Sequence, residues 1–249
     1  MKKVASIKEL KQQAGKKSYS GFLNPMCDFL SFYPAKLFLY LPFNPVQITV
    51  IWILIKVVMA ALLIEGGYWL TVSALLIFQL ASILDGVDGI VARYRKDYSY
   101  NGIYLDYIGH YLCNSVLLIG LAIGDYNHTG SVSVFYAATI GVFSYLFSKS
   151  ITVNPSMWVG KPEQRLEMEQ MVYSKNLALK RQKPGFWAMV YDFFLMDNPF
   201  NFMFWGVVFG FTEITLWIYG IALFLEALRR VAVQYLRINK AERSKKSNR

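Results

Sequence analysis

The chain has 249 residues, of which 55% are hydrophobic, and its mean hydropathy of +0.33 is too high for a soluble domain of this size. The composition therefore indicates an integral membrane protein. The formal net charge is +10, which in a soluble protein would favour a nucleic-acid partner. Here the basic residues flank apolar stretches, so anionic lipid headgroups and an anionic substrate explain them better, and we expect no nucleic-acid partner.

The N-terminal part of the chain, residues 1–43, is predicted to lie at the membrane surface. Residues 1–20 are basic and polar and lack a cleavage site, so no cleavable signal peptide is expected. Within them Ile7 and Leu10 belong to an apolar series at helical spacing, which predicts an amphipathic surface helix, with a flexible solvated tail as the alternative. Residues 21–43 are aromatic and interrupted by three prolines, which favours an interfacial elbow over a span.

The rest of the chain predicts an all-α integral membrane protein with six transmembrane helices. The predicted spans run over about 45–64, 68–92, 102–124, 131–153, 199–210 and 214–236. Asn44-Pro45 favours a helix start at the first span. Lys56 inside this span is interpreted as a snorkelling or cavity-facing lysine rather than a catalytic one.

The six spans define a domain over 44–236. A polar segment at 154–198 lies within it and is predicted either to form an amphipathic helix along the membrane or to be a solvated connector. A basic tail at 237–249 is predicted to be disordered. Cys27 and Cys113 have no metal-type spacing and are not expected to form a disulfide.

The distribution of positive charge predicts the orientation. The outer loops at 65–67, 125–130 and 211–213 contain no Lys or Arg, although the chain has 26 of them. By the positive-inside rule, both termini of this multi-pass protein and the inner ends of its spans face the cytoplasm, across the inner membrane if the cell is bacterial. His128 in the second outer loop is interpreted as solvated.

Acidic residues interrupt the apolar stretches at the inner ends of the second and third spans. Asp85 and Asp88 lie three residues apart, and Asp106 and His110 lie four apart, so each pair falls on one helix face. Carboxylates near hydrocarbon are rare and generally functional. Oxygen ligands gathered in this way favour a hard divalent cation such as Mg²⁺ or Mn²⁺.

The spacing of these residues resembles the signature of the CDP-alcohol phosphotransferase family, D-x2-D-G-x2-A-R-x8-G-x3-D-x3-D. His110 replaces its last Asp. The seven matching positions are Asp85, Asp88, Gly89, Ala92, Arg93, Gly102 and Asp106.

The chemistry that the residues themselves favour is phosphoryl transfer assisted by metal ions. Asp85, Asp88 and Asp106 are the predicted metal ligands, because metals bridging a pyrophosphate neutralise its charge. Arg93 would add a fixed cation beside the phosphates. The small side chains at the glycine and alanine positions of the signature would let a nucleotide or a neighbouring helix approach the backbone.

The resemblance implies the substrates. It implies a CDP-linked donor bound by the seven matching residues, release of CMP, attack by an alcohol hydroxyl, and often a homodimer. We favour CDP-diacylglycerol as the donor with a soluble alcohol acceptor, and the alternative is a soluble CDP-alcohol with a lipid acceptor. Lys149, Arg229 and Arg230 are candidate acceptor-binding residues, although positive-inside flanking explains them equally well, and the i,i+4 pair Glu226–Arg230 fits a plain helix-surface contact.

The replacement at the last motif position leaves three roles open for His110. The family's final Asp is the presumed base that takes the acceptor's proton, and a neutral imidazole can do this near neutral pH. The second role is metal ligation, which would shift the preference from Mg²⁺ towards Mn²⁺ or a later metal. The third is a degenerate site that binds a CDP-lipid without turnover. A transporter with a carboxylate proton path is a further alternative for the cluster as a whole.

Overall fold

The structure is a computed structural model that describes residues 6–14, 23–97, 99–152, 186–196, 198 and 200–247. Over this part of the chain all regular structure is helical, as the sequence predicts. In chain order the helices are α1 (Ile7–Ala14), α2 (Leu23–Tyr40), α3 (Pro45–Leu63), α4 (Tyr68–Arg95), α5 (Tyr100–Thr129), α6 (Ser133–Thr152), α7 (Phe186–Phe194), α8 (Phe202–Val208) and α9 (Thr212–Ser247).

Within the described ranges, four helices, α3 to α6, are long and apolar enough to cross a membrane, and they match the first four predicted spans. Asn44 begins α3 through a capping box, in which its side chain accepts from the Gln47 amide while the Gln47 side chain accepts from the Asn44 amide. The third predicted span ends too early. Helix α5 continues to Thr129 and stops at Gly130, whose φ of 71° suits a residue without a side chain.

The fifth predicted span, 199–210, is wrong as a single crossing helix. Helix α8 has 7 residues and is therefore only about 10 Å long, against roughly 30 Å of hydrocarbon. The apolar helix α7 precedes it inside the segment 154–198 that was predicted to be a polar connector. The amphipathic helix predicted further upstream in that segment lies outside the described residues.

The last helix is longer than the sixth predicted span. Helix α9 continues to Ser247, so the tail predicted to be disordered is helical to that point. It packs along α6. Because Glu226, Arg229 and Arg230 interrupt its apolar stretch, α9 does not belong to the four helices that are apolar enough to cross, and the sixth span stays a prediction.

The N-terminal part is more ordered than an interfacial elbow. Helix α2 has 18 residues and contains Pro34. Leu10 and Ala14 of α1 are fully buried in an apolar cluster formed with α2, α3 and α4, so the apolar face of α1 lies against protein. The Arg95 guanidinium donates to the carbonyl oxygens of Phe38 and Leu41, which ties the end of α2 to α4.

The turns α3–α4, α5–α6 and α8–α9 meet at one end of the helices. Three hydrogen bonds join them there: Tyr68 to the Val208 carbonyl (2.8 Å), Asn127 to the Ile64 carbonyl (2.8 Å) and Ser131 to Glu213 (3.0 Å). The inner ends of α4 and α5, which carry the acidic motif, lie at the opposite end.

Candidate functional site

All eight positions of the motif from Asp85 to His110 line one cavity of about 380 Å³. Helices α4 and α5 form two of its walls. Helix α2 contributes Cys27 and Ser31, the start of α3 contributes Thr49, and the connector between α7 and α8 contributes Asn198. The cavity thus combines the sequence motif with residues that lie far from it in the chain.

Three side chains meet in this cavity with the geometry of a metal site. The His110 Nε2 atom lies 3.5 Å from an Asp85 carboxylate oxygen and 3.6 Å from an Asp106 oxygen. One ligand atom from each of the three residues falls within 4.8 Å of the others. The pairing follows from the sequence, because Asp106 and His110 are one turn apart on α5 while Asp85 faces them from α4.

The donor set and its spacing fit a divalent cation. Ligand atoms about 2.1 Å from one ion lie about 3.0 Å apart at right angles and about 3.4 Å apart at the tetrahedral angle. The two distances to His110 are close to the second value and longer than the usual 2.7–3.2 Å of a direct N–H···O hydrogen bond. Two carboxylates and one imidazole are ligands that Mg²⁺, Mn²⁺ and later transition metals accept.

Asp88, predicted as the third metal ligand, directs one carboxylate oxygen towards α3. Its Oδ2 accepts hydrogen bonds from the Thr49 hydroxyl (2.5 Å) and from the Trp52 indole N–H (3.1 Å). Asp88 still lines the cavity, so ligation through its other oxygen remains a prediction.

The motif arginine is held by the N-terminal helix. The Arg93 Nε atom donates to the carbonyl oxygen of Ala14, the last residue of α1, at 2.5 Å. Its guanidinium lies over Gly89, where a Cβ atom would come within 3.0 Å of Nη1. The glycine of the motif therefore makes room for the arginine side chain along the cavity wall.

A second glycine lets α3 approach the site. A Cβ atom at Gly109 would lie 2.6 Å from the ring of Trp52 and from the side chain of Ile53, so a larger residue would push α3 away. In this packing the Trp52 and His110 ring centroids are 5.3 Å apart. Trp52 thereby contacts both Asp88 and His110.

The candidate acceptor-binding residues do not line this cavity. The guanidinium groups of Arg229 and Arg230 bind Glu226, at 2.6 Å and 2.7 Å, which confirms the predicted contact between Glu226 and Arg230. The Lys149 ammonium lies 5.2 Å from the ring centre of Tyr145, whose hydroxyl reaches the His110 carbonyl. Their role in acceptor binding stays a prediction.

Lys56 is neither snorkelling nor facing the cavity, contrary to the sequence prediction. It is 1% exposed, and its ammonium lies 4.8 Å from the ring centre of Trp52 and 5.1 Å from that of Phe78. The aromatic faces accommodate the buried charge by cation–π contacts.

Sequence reasoning missed Thr49, Trp52, Ser31 and Asn198. Thr49 and Trp52 precede the motif by more than thirty residues, and no local pattern links them to Asp88. The available signal was weak: they are hydrogen-bonding side chains within an otherwise apolar span. Ser31 and Asn198 lie in segments that were interpreted as an elbow and the end of a connector.

Comparison with known proteins places this site within a family. No curated protein matches the chain. The family model described as CDP-alcohol phosphatidyltransferase matches residues 43–196, which run from the start of α3 to just past α7 and include the whole acidic motif. This match covers more than half of the chain, and the chain therefore belongs to the CDP-alcohol phosphatidyltransferase family.

Proposed function

We propose that this protein is a metal-dependent transferase that moves a phosphatidyl group from a CDP-linked lipid to an alcohol and releases CMP. The observation that carries the proposal is the cluster of Asp85, Asp106 and His110 inside a cavity lined by all the motif residues. Family membership supports transfer from a CDP-alcohol. In the reaction, an alcohol oxygen bonds to the donor's distal phosphorus, the bond from that phosphorus to the bridging oxygen breaks, CMP leaves with that oxygen, and the alcohol's proton passes to water.

In this proposal Asp85, Asp106 and His110 hold a divalent cation, Mg²⁺ or Mn²⁺. When bound, the cation neutralises the pyrophosphate and stabilises the leaving CMP. Asp88, fixed by Thr49, completes the acidic wall.

Arg93 lies further along α4 and adds a positive charge to the same cavity, where it would pair with a phosphate of the CDP-linked donor. The seven motif residues from Asp85 to Asp106 together form the proposed CDP site. Gly89 contributes by leaving room for the Arg93 guanidinium.

For His110 the spacing favours metal ligation over the role of general base. Its Nε2 is nearly equidistant from two carboxylate oxygens, as expected when all three surround one ion. Nothing in this arrangement requires that a hydroxyl proton be transferred to the imidazole. The base role remains the competing hypothesis, and a substitution described below separates the two.

The surroundings of the cavity support a donor that carries the lipid. An apolar groove of about 500 Å³ lies beside it, bounded by Met26 and Leu30 of α2 and by Phe193, Phe200 and Trp205 near α7 and α8. Asp192 lines this groove and binds Asn198, which lines the cavity. Acyl chains in the groove would place a lipid-linked pyrophosphate next to the acidic cluster.

Family membership and the charge pattern support a proposal for the acceptor, the orientation and the assembly. We propose a soluble alcohol as acceptor, a cytoplasmic site in a multi-pass protein, and a homodimer. The absence of Lys and Arg from the three turns at the other end of the helices supports this orientation. An anionic acceptor would favour Lys149, Arg229 and Arg230 as its partners.

The test is a CMP-release assay with the full-length protein in lipid vesicles. CDP-diacylglycerol is supplied with a panel of soluble alcohols, and CDP-choline with diacylglycerol is run in parallel. We expect CMP release from CDP-diacylglycerol together with a new phospholipid, identified by mass spectrometry. Binding of CDP-diacylglycerol without CMP release under any condition would contradict the enzyme assignment and favour a CDP-lipid-binding protein.

A further inference from the structure

The connector between α7 and α8 places one amide side chain in the wall of the catalytic cavity. Asn198 is 4% exposed and lines the cavity, although it lies beyond the residues matched by the family model. Its Nδ2 atom donates to the backbone carbonyl of Asp192 at 2.7 Å and to the Asp192 carboxylate at 2.8 Å. Both N–H bonds of the amide are therefore used, so the oxygen Oδ1 is the polar atom of this side chain that remains to bind a ligand in the cavity.

Hydrogen bonds to neighbouring residues hold the connector so that Asn198 keeps this position. Its backbone N–H donates to the Leu195 carbonyl at 3.2 Å. The Phe200 N–H donates to the Gln79 side-chain oxygen at 3.0 Å, which fixes the connector to α4. A buried side chain with these anchors is a preorganised acceptor rather than a mobile surface group.

The position along α4 shows which part of a substrate would meet Asn198. Gln79 lies about 9 Å before Asp85 along the helix, whereas Arg93 lies about 12 Å after it. The nucleotide is proposed to bind at the Arg93 end. An in-line displacement brings the attacking oxygen to the opposite side of the phosphorus from the leaving CMP. Because Phe200 is bonded to Gln79, we infer that Asn198, two residues earlier in the connector, lines this end of the cavity, on the other side of Asp85 from Arg93.

We propose that Asn198, oriented by Asp192, binds the acceptor alcohol by accepting a hydrogen bond from one of its hydroxyl groups. This inference rests on the proposed function and adds a specificity-determining residue to it. An alcohol that has no hydroxyl group at this position would leave the Asn198 oxygen buried without a hydrogen-bond partner. Such an alcohol should therefore bind more weakly. Asp192 is a positioning residue that acts through Asn198.

The experiment measures the KM for the acceptor and the KM for CDP-diacylglycerol in the same CMP-release assay. Asn198→Ala should raise the acceptor KM by about 3- to 10-fold, the effect of one lost hydrogen bond. It should leave the donor KM and the affinity for Mn²⁺ unchanged, and it should alter the ranking of alcohols in the panel. The Mn²⁺ affinity also reports whether the variant is folded.

Three further variants separate positioning from folding. Asp192→Ala removes the side-chain oxygen that accepts from the Asn198 amide, so it should cause a weaker form of the same acceptor defect. Asp192→Asn keeps an oxygen that can accept this hydrogen bond and should therefore retain acceptor affinity. Asn201→Ala is the matched control. Asn201 is also buried in the connector and bonds the Leu195 carbonyl, but it does not line the cavity.

The outcomes distinguish this inference from the function on which it rests. If the wild-type protein releases CMP and Asn198→Ala leaves the acceptor KM and the ranking of alcohols unchanged, the inference is overturned and the function is not. An equal acceptor defect in Asn201→Ala would also overturn it, because the effect would then belong to the fold of the connector. A wild-type protein that releases no CMP would overturn both.

Discussion

At the scale of single residues, the replacement of the last motif Asp by His110 is the feature that most affects the chemistry. The imidazole lies where it can share an ion with Asp85 and Asp106, so His110 has the geometry of a ligand. An imidazole ligand shifts metal preference away from Mg²⁺ towards Mn²⁺ and later transition metals. The residue therefore gives two distinguishable predictions, one for the ligand and one for the base.

We predict that His110→Ala lowers the affinity for Mn²⁺ by at least about 10- to 100-fold, because losing one of three protein ligands should cost no less than losing a residue that only orients a ligand. His110→Asp should restore metal binding and shift the preference back towards Mg²⁺. Isothermal titration with each metal measures the affinity, and CMP release measures turnover. If His110→Ala keeps full metal affinity but loses about 10²–10⁴-fold in turnover, the base role is correct instead.

A second prediction concerns the hydrogen bonds that hold Asp88. Thr49→Val removes the hydroxyl that Asp88 accepts from and keeps the side-chain shape, so we expect CMP release to fall by about tenfold, the effect of a buried hydrogen bond lost to a charged group. Thr215→Val is the control. Like Thr49, whose hydroxyl lies 3.2 Å from the Pro45 carbonyl, Thr215 is a buried threonine that bonds the carbonyl four residues before it, but it lies away from the cavity. Unchanged CMP release in Thr49→Val, or an equal loss in both variants, would contradict a specific role of Thr49 in holding Asp88.

At the scale of elements, the first helix is part of the site rather than a separate membrane anchor. Helix α1 buries Leu10 against α2 and α4 and presents its last carbonyl group to Arg93. The partial negative charge at a helix C-terminus favours a cation there. Docking of α1 therefore fixes the direction of the guanidinium that we assign to the donor phosphates.

We predict that Leu10→Asp raises the KM for the CDP-linked donor by about tenfold, because an unpaired carboxylate in the apolar cluster undocks α1 and frees Arg93. Metal affinity should not change. Gln12→Asp adds the same charge on the exposed face of α1 and should have no effect. A donor KM that is the same in Leu10→Asp and in the wild-type protein would show that α1 does not position Arg93.

Sequence patterns predicted the elements that are regular and failed where the helices are interrupted. Helices α3 and α4 begin at Pro45 and Tyr68 as predicted, because a proline start and a glycine turn mark them clearly. The α7–α8 region was misplaced because its polar residues are satisfied locally: Asn198 bonds Asp192, and Asn201 bonds the carbonyl groups of Leu195 and Met196. Such a polar turn is indistinguishable in sequence from a solvated connector.

The same limit applies to the candidate site. The motif spacing predicted the meeting of Asp85, Asp106 and His110, since it depends only on helical periodicity and on two antiparallel helices. The partners of Asp88 on α3 depend on how α3 packs against α4 and α5, and that packing is set by tertiary contacts such as the close approach at Gly109. No short-range pattern encodes such contacts.

At the scale of the whole molecule, the two ends of the helical bundle differ in charge and in function. The joined turns at one end contain no Lys or Arg, whereas the other end carries the cavity and basic residues such as Arg93, Arg95 and Lys149. This asymmetry predicts a cytoplasmic cavity, in the compartment that supplies CDP-activated compounds.

Cysteine labelling tests the orientation. In a background with Cys27 and Cys113 changed to Ala, Val132→Cys in the α5–α6 turn should react with an impermeant maleimide added outside intact cells. Ser247→Cys at the end of α9 should react only after the membrane is permeabilised. The reverse pattern would place the cavity outside the cell and contradict the proposed use of a cytoplasmic CDP donor.

The most direct test of the central proposal is the metal dependence of CMP release from CDP-diacylglycerol. The purified wild-type protein, stripped with a chelator, should release no CMP and should recover on addition of Mn²⁺ or Mg²⁺. Asp85→Asn and Asp106→Asn, whose amides keep the shape but not the charge, should stay inactive at all metal concentrations while remaining folded. CMP release that survives chelation, or that both variants retain, would contradict a catalytic metal site formed by Asp85, Asp106 and His110.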